Sequence, residues 1–284
     1  MKGPKPIKKP KAKKAKAKKA NVKKVNATTR STGGPGFNFE DNVSAWLLLK
    51  MLCGESIPGI EASGFQLQLQ TTALGWNIDD LLVTATSHDA EKRQLAISSK
   101  SNVQVKSSGF PSSFIISAWS LWQKSHLFKR EQDGIALATR GYDAAFNSTW
   151  QDLKDWCKDG DTVSALAKIN ATQKHRKFFD SIKKPLTSDG ASISDEEIIH
   201  FIRHLHVFPL GFQIDGLNEE TNAIARCRDL LESGDLSEAE KLWQSLLTKA
   251  EEARIRGGTI RLSDLLIDLR KVFALKNHPD FSAS

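Results

Sequence analysis

Residues 65–100, FQLQLQTTALGWNIDDLLVTATSHDAEKRQLAISSK, decide the fold of this chain. Apolar and polar residues alternate strictly over 65–70, which predicts a half-buried strand. After the turn-like stretch GWNIDD, residues 81–87 and 94–100 predict two more strands, and HDAEKR between them predicts a hairpin turn. The stretch therefore predicts three consecutive strands.

The segments on either side of these strands have different periodicities. Residues 38–53 place apolar side chains at helical spacing, with Asn38 as the predicted N-cap, and residues 110–125 also suit a helix. Residues 134–139, GIALAT, predict a short buried strand. The predicted order is thus helix, three strands, helix, strand.

The chain becomes mostly helical in pattern after about residue 143. Within this part, VFPLGFQI at 207–214 predicts a late strand. Residues 259–275 predict either a final helix or a strand followed by a helix. No internal repeat with the period of a solenoid is present.

Charge is divided very unevenly along the sequence. The 284 residues carry a net charge of +8, but residues 1–30 hold twelve Lys, one Arg and no acid. The remainder has 28 basic and 33 acidic residues, so the body carries a net charge of −5. Lys/Ala/Pro composition predicts a disordered tail over 1–35, suited to tethering the chain to a polyanion. The basicity of the whole chain says nothing about the surface of the body.

Composition narrows the class of protein further. The chain is 39% hydrophobic with seven Trp and fourteen Phe, enough for a sizeable core. Its three Cys form no CxxC pair, which argues against a zinc ribbon or a disulfide framework. The longest apolar runs are too short to span a bilayer, and the basic start has no secretory apolar region after it. We therefore expect a cytoplasmic protein with no membrane partner.

Acidic residues and a lysine flank the second and third predicted strands. Asp79 and Asp80 precede residues 81–87, and Lys100 ends the next strand. A hairpin can bring the start of one strand beside the end of its partner, so Asp80 and Lys100 are expected to meet. Glu40, in the first turn of the first predicted helix, could reach them if that helix packs over the same end of the sheet.

Such a cluster has a defined chemistry. Carboxylate oxygens bind hard cations such as Mg²⁺ or Mn²⁺, and a bound metal activates water and neutralises a phosphoryl oxygen. A nearby lysine can orient the water and stabilise the transition state. Carboxylates and a lysine across a hairpin make a minimal site for phosphodiester hydrolysis.

The element order, Asp80 and the Ser98-x-Lys100 motif resemble the PD-(D/E)xK restriction-endonuclease-like superfamily. GPGFNFEDNVSAWLLLKML, QTTALGWNIDDLLVT and LAISSKSNVQV look like the N-terminal nuclease domain of bacterial antiphage effectors, including CBASS-type effectors and STAND-type defence NTPases. The resemblance implies an α/β fold with a restriction-endonuclease-like core, a central mixed sheet flanked by helices, before a mostly helical C-terminal region. The expected parts are the tail at 1–35, a nuclease domain at 36–185 and a linker, oligomerisation or sensing region at 186–284.

The same resemblance implies a function and its residues. Glu40, Asp80, Lys100 and Ser98 would be catalytic, with Glu40, Asp80 and Asp79 as metal ligands. The enzyme would be an Mg²⁺-dependent (or Mn²⁺-dependent) endonuclease acting on double-stranded DNA in antiphage defence. A STAND-type NTPase or other defence partner and a homo-oligomer would be possible partners. Ser98 departs from the family pattern, because an acid or Gln usually stands there and serine is a poor Mg²⁺ ligand.

Other interpretations stay open at this point. A catalytically silent nucleic-acid-binding adaptor could keep the same fold, and an RNase is a third reading. His200 and His204 are four residues apart, which is metal-ligand spacing. Because no third ligand is obvious, we expect these histidines and His206 to have solvent-facing or core roles.

Overall fold

The computed structural model describes the body of the chain with a few gaps. Two compact units are distinguished, Met1–Gly36 and Phe37–Ser284, and only Gly3 of the first is described. The described residues are Gly3, 39–60, 64–70, 75, 76, 78, 80–86, 91–101, 105–158, 161–188, 190–212 and 218–277. The predicted disordered tail and the N-cap Asn38 lie outside them.

A single mixed sheet organises the second unit. Its order is β5-β4-β3-β2-β1-β6. The pairs β6–β1, β1–β2 and β2–β3 are antiparallel, and the pairs β3–β4 and β4–β5 are parallel. The strands are β1 (Phe65–Leu69), β2 (Leu81–Thr86), β3 (Lys92–Lys100), β4 (Gly134–Thr139), β5 (Leu205–Pro209) and β6 (Thr259–Arg261).

Helices cover both faces of this sheet. Within the described residues they are α1 (Phe39–Leu52), α2 (Ser112–Trp122), α3 (Ala144–Lys158), α4 (Thr162–Asn170), α5 (Gln173–Lys183), α6 (Asp195–His204), α7 (Glu219–Leu230), α8 (Leu236–Arg256) and α9 (Leu262–Arg270). One apolar core joins the sheet to α1, α7, α8 and α9, and the other joins it to α2 through α6.

Alternation along the strands divides side chains between the two cores. In β2, Leu81 and Val83 belong to the core with α1, and Leu82 belongs to the core with α2. Period-two alternation of this kind is what a strand covered on both faces requires. The two-layered packing fixes which side chains can emerge at the ends of the strands, where a ligand could reach them.

The expectation of an α/β protein with a central mixed sheet flanked by helices is confirmed, as is the mostly helical C-terminal region. The late strand begins two residues earlier than predicted, at Leu205, directly after α6. Residues 259–275 form a strand followed by a helix, and β6 pairs with β1. Strands from both sides of the predicted boundary at 185 share the sheet, while that division itself stays a prediction.

Candidate functional site

Asp80, Ser98 and Lys100 meet at one end of the sheet. The β2–β3 register pairs Leu81 with Ile97, so the residue before β2 lies beside the last residues of β3. The Asp80 Oδ2 atom accepts hydrogen bonds from the Ser99 backbone N–H at 2.6 Å and from the Ser98 Oγ at 3.4 Å. The Lys100 Nζ atom lies 3.6 Å from the same oxygen. The predicted juxtaposition of Asp80 and Lys100 is therefore observed.

The two charges of this ion pair differ in their access to solvent. The Asp80 side chain is 12% exposed and the Lys100 side chain is 35% exposed. The carboxylate is engaged by two protein donors and also pairs with the more exposed ammonium. A partly exposed lysine paired with a less exposed carboxylate is a preorganised positive point charge.

A second cation lies at the same end of the sheet, on the neighbouring strand. The parallel β3–β4 register pairs Lys100 with Thr139, and Arg140 follows directly after β4. The Arg140 guanidinium carbon lies 5.9 Å from the centre of the Phe39 ring, at the start of α1. Sequence analysis missed Arg140, although its position immediately after a buried strand was visible. The carboxyl ends of the neighbouring strands β3 and β4 thus each carry a cation.

The structure gives the two acids at the start of α1 different environments. Glu40 is partly exposed in the first helical turn, where its backbone carbonyl accepts a hydrogen bond from the Ser44 hydroxyl. Asp41 is 2% exposed and binds Arg254 through Nε at 2.7 Å and Nη2 at 3.2 Å. The Asp41 carboxylate raises the pKa of Arg254 chiefly by these hydrogen bonds. Asp41 is therefore a packing residue, and a site role for Glu40 stays a prediction.

The predicted metal site finds little support in the donor set. Within the described parts of the chain, no group of three or more His, Cys, Asp and Glu side chains could hold a metal ion. Asp79 lies outside those parts. Ser98 offers a neutral hydroxyl, and Asp80 is already bonded to protein donors, whereas Mg²⁺ favours several oxygen ligands in octahedral geometry. The described residues alone do not supply the ligands that the ion needs. Because the predicted ligand Asp79 is not among them, Mg²⁺ or Mn²⁺ binding stays a prediction, and it enters no step below.

His200 and His204 form hydrogen bonds within the protein, and His206 is largely buried. The His204 Nδ1 atom donates to the Asp133 carbonyl at 3.0 Å, and the His200 Nδ1 atom accepts from Arg203 Nη1 at 3.0 Å. Burial lowers the pKa of His206 to about 3, so its imidazole is neutral near pH 7. The contacts of His204 and the burial of His206 agree with the expected core roles.

None of the helices in the described regions is both long enough and apolar enough to cross a bilayer.

Comparisons with known proteins give matches only among solved structures. No protein-family model matches the chain, and no curated protein does. An Acinetobacter baumannii Cap4 SAVED/CARF-domain containing receptor with 2'3'3'-cAAA matches at TM-score 0.47 and 12% identity, over 84% of this chain and 46% of that one. The same receptor with 3'3'3'-cAAA matches at TM-score 0.45 and 12% identity, over 81% and 43%. A Moraxella osloensis Cap4 SAVED/CARF-domain containing receptor matches at TM-score 0.41 and 12% identity, over 79% and 44%. This chain spans less than half the length of each.

These matches correct the identification made from the sequence. The matched proteins are described as receptors, two of them with cyclic trinucleotides, and none is described as a nuclease or as bound to double-stranded DNA. The expectations of a PD-(D/E)xK nuclease, of a metal-dependent endonuclease and of duplex DNA as partner were therefore wrong. Physically, the Asp80 and Ser98-x-Lys100 pattern also suits an ion pair that holds a lysine at a strand end, as observed here.

Proposed function

We propose that this chain is a ligand-binding protein that holds a short oligonucleotide through its phosphates at the carboxyl ends of β3 and β4. The observation that carries the proposal is the presence of Lys100, held by Asp80, at the carboxyl end of β3 and of Arg140 just after the carboxyl end of the neighbouring β4. Ligands of α/β proteins bind preferentially outside the carboxyl ends of parallel strands.

The two cations suit a phosphate in complementary ways. The Lys100 ammonium is a compact charge that already has a fixed position against Asp80. The Arg140 guanidinium is planar and can give two parallel hydrogen bonds to one phosphate group. Because Asp80 holds Lys100 in place before any ligand arrives, less side-chain entropy is lost on binding.

The charge of the body favours a short ligand over a long duplex. Outside the tail the chain is net negative, with 28 basic against 33 acidic residues. A long polyanion would meet that repulsion over its whole contact surface, whereas two or three phosphates would meet mainly the cationic edge. The lysines of residues 1–30 add an attraction for any polyanion that does not depend on Lys100.

Titration calorimetry of the full-length chain tests the proposal. The ligands are 3'3'3'-cAAA, a cyclic trinucleotide of the kind held by one matched structure, and linear triadenylate. We expect at least one to bind, with affinity lowered by roughly tenfold or more in Lys100→Gln and Arg140→Gln, as expected for a lost charge-assisted hydrogen bond.

Lys241→Gln is the matched control, because it removes the same charge from an exposed position on α8. It should bind like the parent chain. If Lys241→Gln weakened ligand binding as much as Lys100→Gln, the affinity would depend on the net charge of the chain and not on one site. That result would overturn the proposed site. Absence of binding by both ligands at millimolar concentration would overturn the function.

The chemical role of the site is a separate question. That the chain is an enzyme, with Glu40, Asp80, Ser98 and Lys100 as catalytic residues, stays a prediction. The proposed binding function requires only the positions and charges of the residues at the strand ends.

A further inference from the structure

A second polar cleft lies at the opposite edge of the sheet. It has a volume of about 790 Å³ and is lined by residues at the amino ends of β3, β4 and β5, by α3 and by residues 56–59. Arg93, Asp133 and His206 mark the three strands. Because β3, β4 and β5 are parallel, this cleft and the edge with Lys100 are at opposite ends of the same strands.

The cleft is strongly cationic for a body that is net negative. Three carboxylates line it, those of Glu131, Asp133 and Asp155. If all of its lysines, arginines and carboxylates are ionised, the lining carries a net charge of +2. The cationic residues are Lys50, Arg93, Lys154, Lys158 and Arg203.

Three of the charged groups are committed to the protein, and the first, Lys50, forms an ion pair with Glu55 at 3.0 Å. The Lys154 ammonium donates to the carbonyl oxygens of Ile202, Arg203 and Leu205 at 3.3, 2.8 and 2.8 Å, which ties α3 to the end of α6. The Asp133 carboxylate accepts from the backbone N–H groups of Gln94 and Lys129, both at 2.8 Å. Asp133 is therefore occupied by backbone donors.

Each of the two arginines of the lining, Arg93 and Arg203, has a buried N–H donor without a hydrogen-bond partner among the described residues. Arg203 donates from Nε to the Cys157 carbonyl at 2.5 Å and from Nη1 to His200, which fixes its guanidinium. Its Nη2 atom and the Arg93 Nε atom are buried and have no hydrogen-bond partner in the described part of the chain. A buried donor without an acceptor is unfavourable, and more so when it is charged, so an acceptor from outside the chain would relieve that cost.

We propose that this cleft binds a small phosphate monoester of mononucleotide size, held by Arg93 and Arg203. A phosphate monoester carries a charge of about −1.5 to −2 at neutral pH, which matches the surplus of the lining. Its oxygens accept hydrogen bonds from guanidinium groups. A cleft of this volume lies within the range of about 300–1,000 Å³ typical of small-molecule sites. The site is independent of the one proposed at Lys100.

Calorimetry with AMP, inorganic phosphate and succinate tests this inference on the full-length chain. We expect AMP and phosphate to bind, and Arg203→Gln and Arg93→Gln each to weaken AMP by about tenfold or more. Lys100→Gln tests the other proposed site: a loss of AMP affinity in Lys100→Gln, but not in Arg93→Gln and Arg203→Gln, would place AMP at that site and overturn this inference. Lys177→Gln, an exposed position on α5, controls for net charge.

Folding of each variant is checked by its thermal melting curve. Replacing Arg203 also removes its hydrogen bond to the Cys157 carbonyl, so Arg93→Gln, whose Nε makes no such bond, provides the second variant. If AMP does not bind, or binds both folded variants as tightly as it binds the parent chain, the inference is overturned. Succinate binding as tightly as AMP would overturn the assignment to a phosphate ligand.

Discussion

The Arg254 guanidinium, near the end of α8, binds the buried Asp41 carboxylate in the first turn of α1 through two hydrogen bonds of 2.7 and 3.2 Å. The two residues are 213 positions apart in the sequence. The contact joins the first helix of the body to its longest one, and it does so at the helix start that also places Phe39 beneath Arg140. The start of α1 therefore contributes both to the stability of the fold and to the surroundings of Arg140 in the proposed ligand site.

Replacing Arg254 with Met should destabilise the fold strongly. The substitution leaves the Asp41 carboxylate buried without its cation, which typically costs about 3–5 kcal/mol. Urea unfolding of the parent and variant chains measures the difference. Lys271→Ala provides the comparison, since Lys271 is 67% exposed in its pair with Asp268 and its loss should leave the midpoint unchanged. Equal effects of the two variants would contradict the role given to the buried pair.

Replacing Asp80 with Asn should strengthen the binding of a phosphate ligand at Lys100. An Asn oxygen can still accept the Ser99 N–H, but the negative charge beside the ligand is gone. Removing a like charge at such a distance predicts an affinity gain of roughly threefold to tenfold. Calorimetry with the trinucleotide that binds the parent chain measures it. An unchanged or weaker affinity would show that the position Asp80 gives to Lys100 counts for more than the negative charge that is removed.

His206 should make the protein less stable as the pH falls. Burial lowers the pKa of His206 to about 3 in the folded chain, against about 6.5 for an unperturbed histidine. The unfolded chain therefore binds a proton between these values that the folded chain does not, and stability is lost as the pH falls from about 6.5 towards 3. A full proton corresponds to a slope of about 1.4 kcal/mol per pH unit.

Urea unfolding across this pH range, on the parent chain and on His206→Gln, isolates that slope. The variant should show a shallower dependence on pH, because the group that titrates is missing. His126→Gln is the matched control, since His126 is exposed. If His206→Gln and the parent have parallel curves, the imidazole does not stay neutral in the folded state as inferred.

Gly59 should tolerate alanine poorly, for two separable reasons. Its φ is +94°, a conformation that L-residues rarely adopt, and an added Cβ would lie 2.7 Å from the His206 Nε2 atom. Gly190 has a φ of +80°, but an added Cβ there would meet nothing within 4 Å. We expect Gly59→Ala to lower the unfolding free energy by about 1–3 kcal/mol more than Gly190→Ala, the cost of overpacking. Equal losses of unfolding free energy in the two variants would show that the His206 side chain moves away from the added Cβ at no cost in stability.

The local elements of the fold could be predicted because their signals are local. The alternation over 65–70 and the runs at 81–87 and 94–100 gave β1, β2 and β3 to within two residues. β6 was predicted only as one of two alternatives, because three residues carry almost no periodicity. Its partner β1 lies about 190 positions earlier, so the pairing depends on tertiary packing.

The candidate site divides in the same way. Asp80 and Lys100 could be placed together because a hairpin joins them. Arg140 was missed because its place at the same end of the sheet as Lys100 requires a parallel pairing across α2, which no short motif reports. Asp41 was missed because nothing in FEDN distinguishes a buried acid from its exposed neighbour. The family resemblance failed for a related reason, since a few short motifs describe spacing and do not specify the chemistry of a site.

The position of β6 has a consequence for synthesis of the chain. β6 is the outermost strand beside β1, yet it is made after α8, at residues 259–261. Until those residues leave the ribosome, the backbone N–H and C=O groups of β1 form an open edge that can pair with another nascent chain. Translation that stalls before residue 259 would therefore release a self-associating product, whereas the finished body covers that edge with a strand of its own.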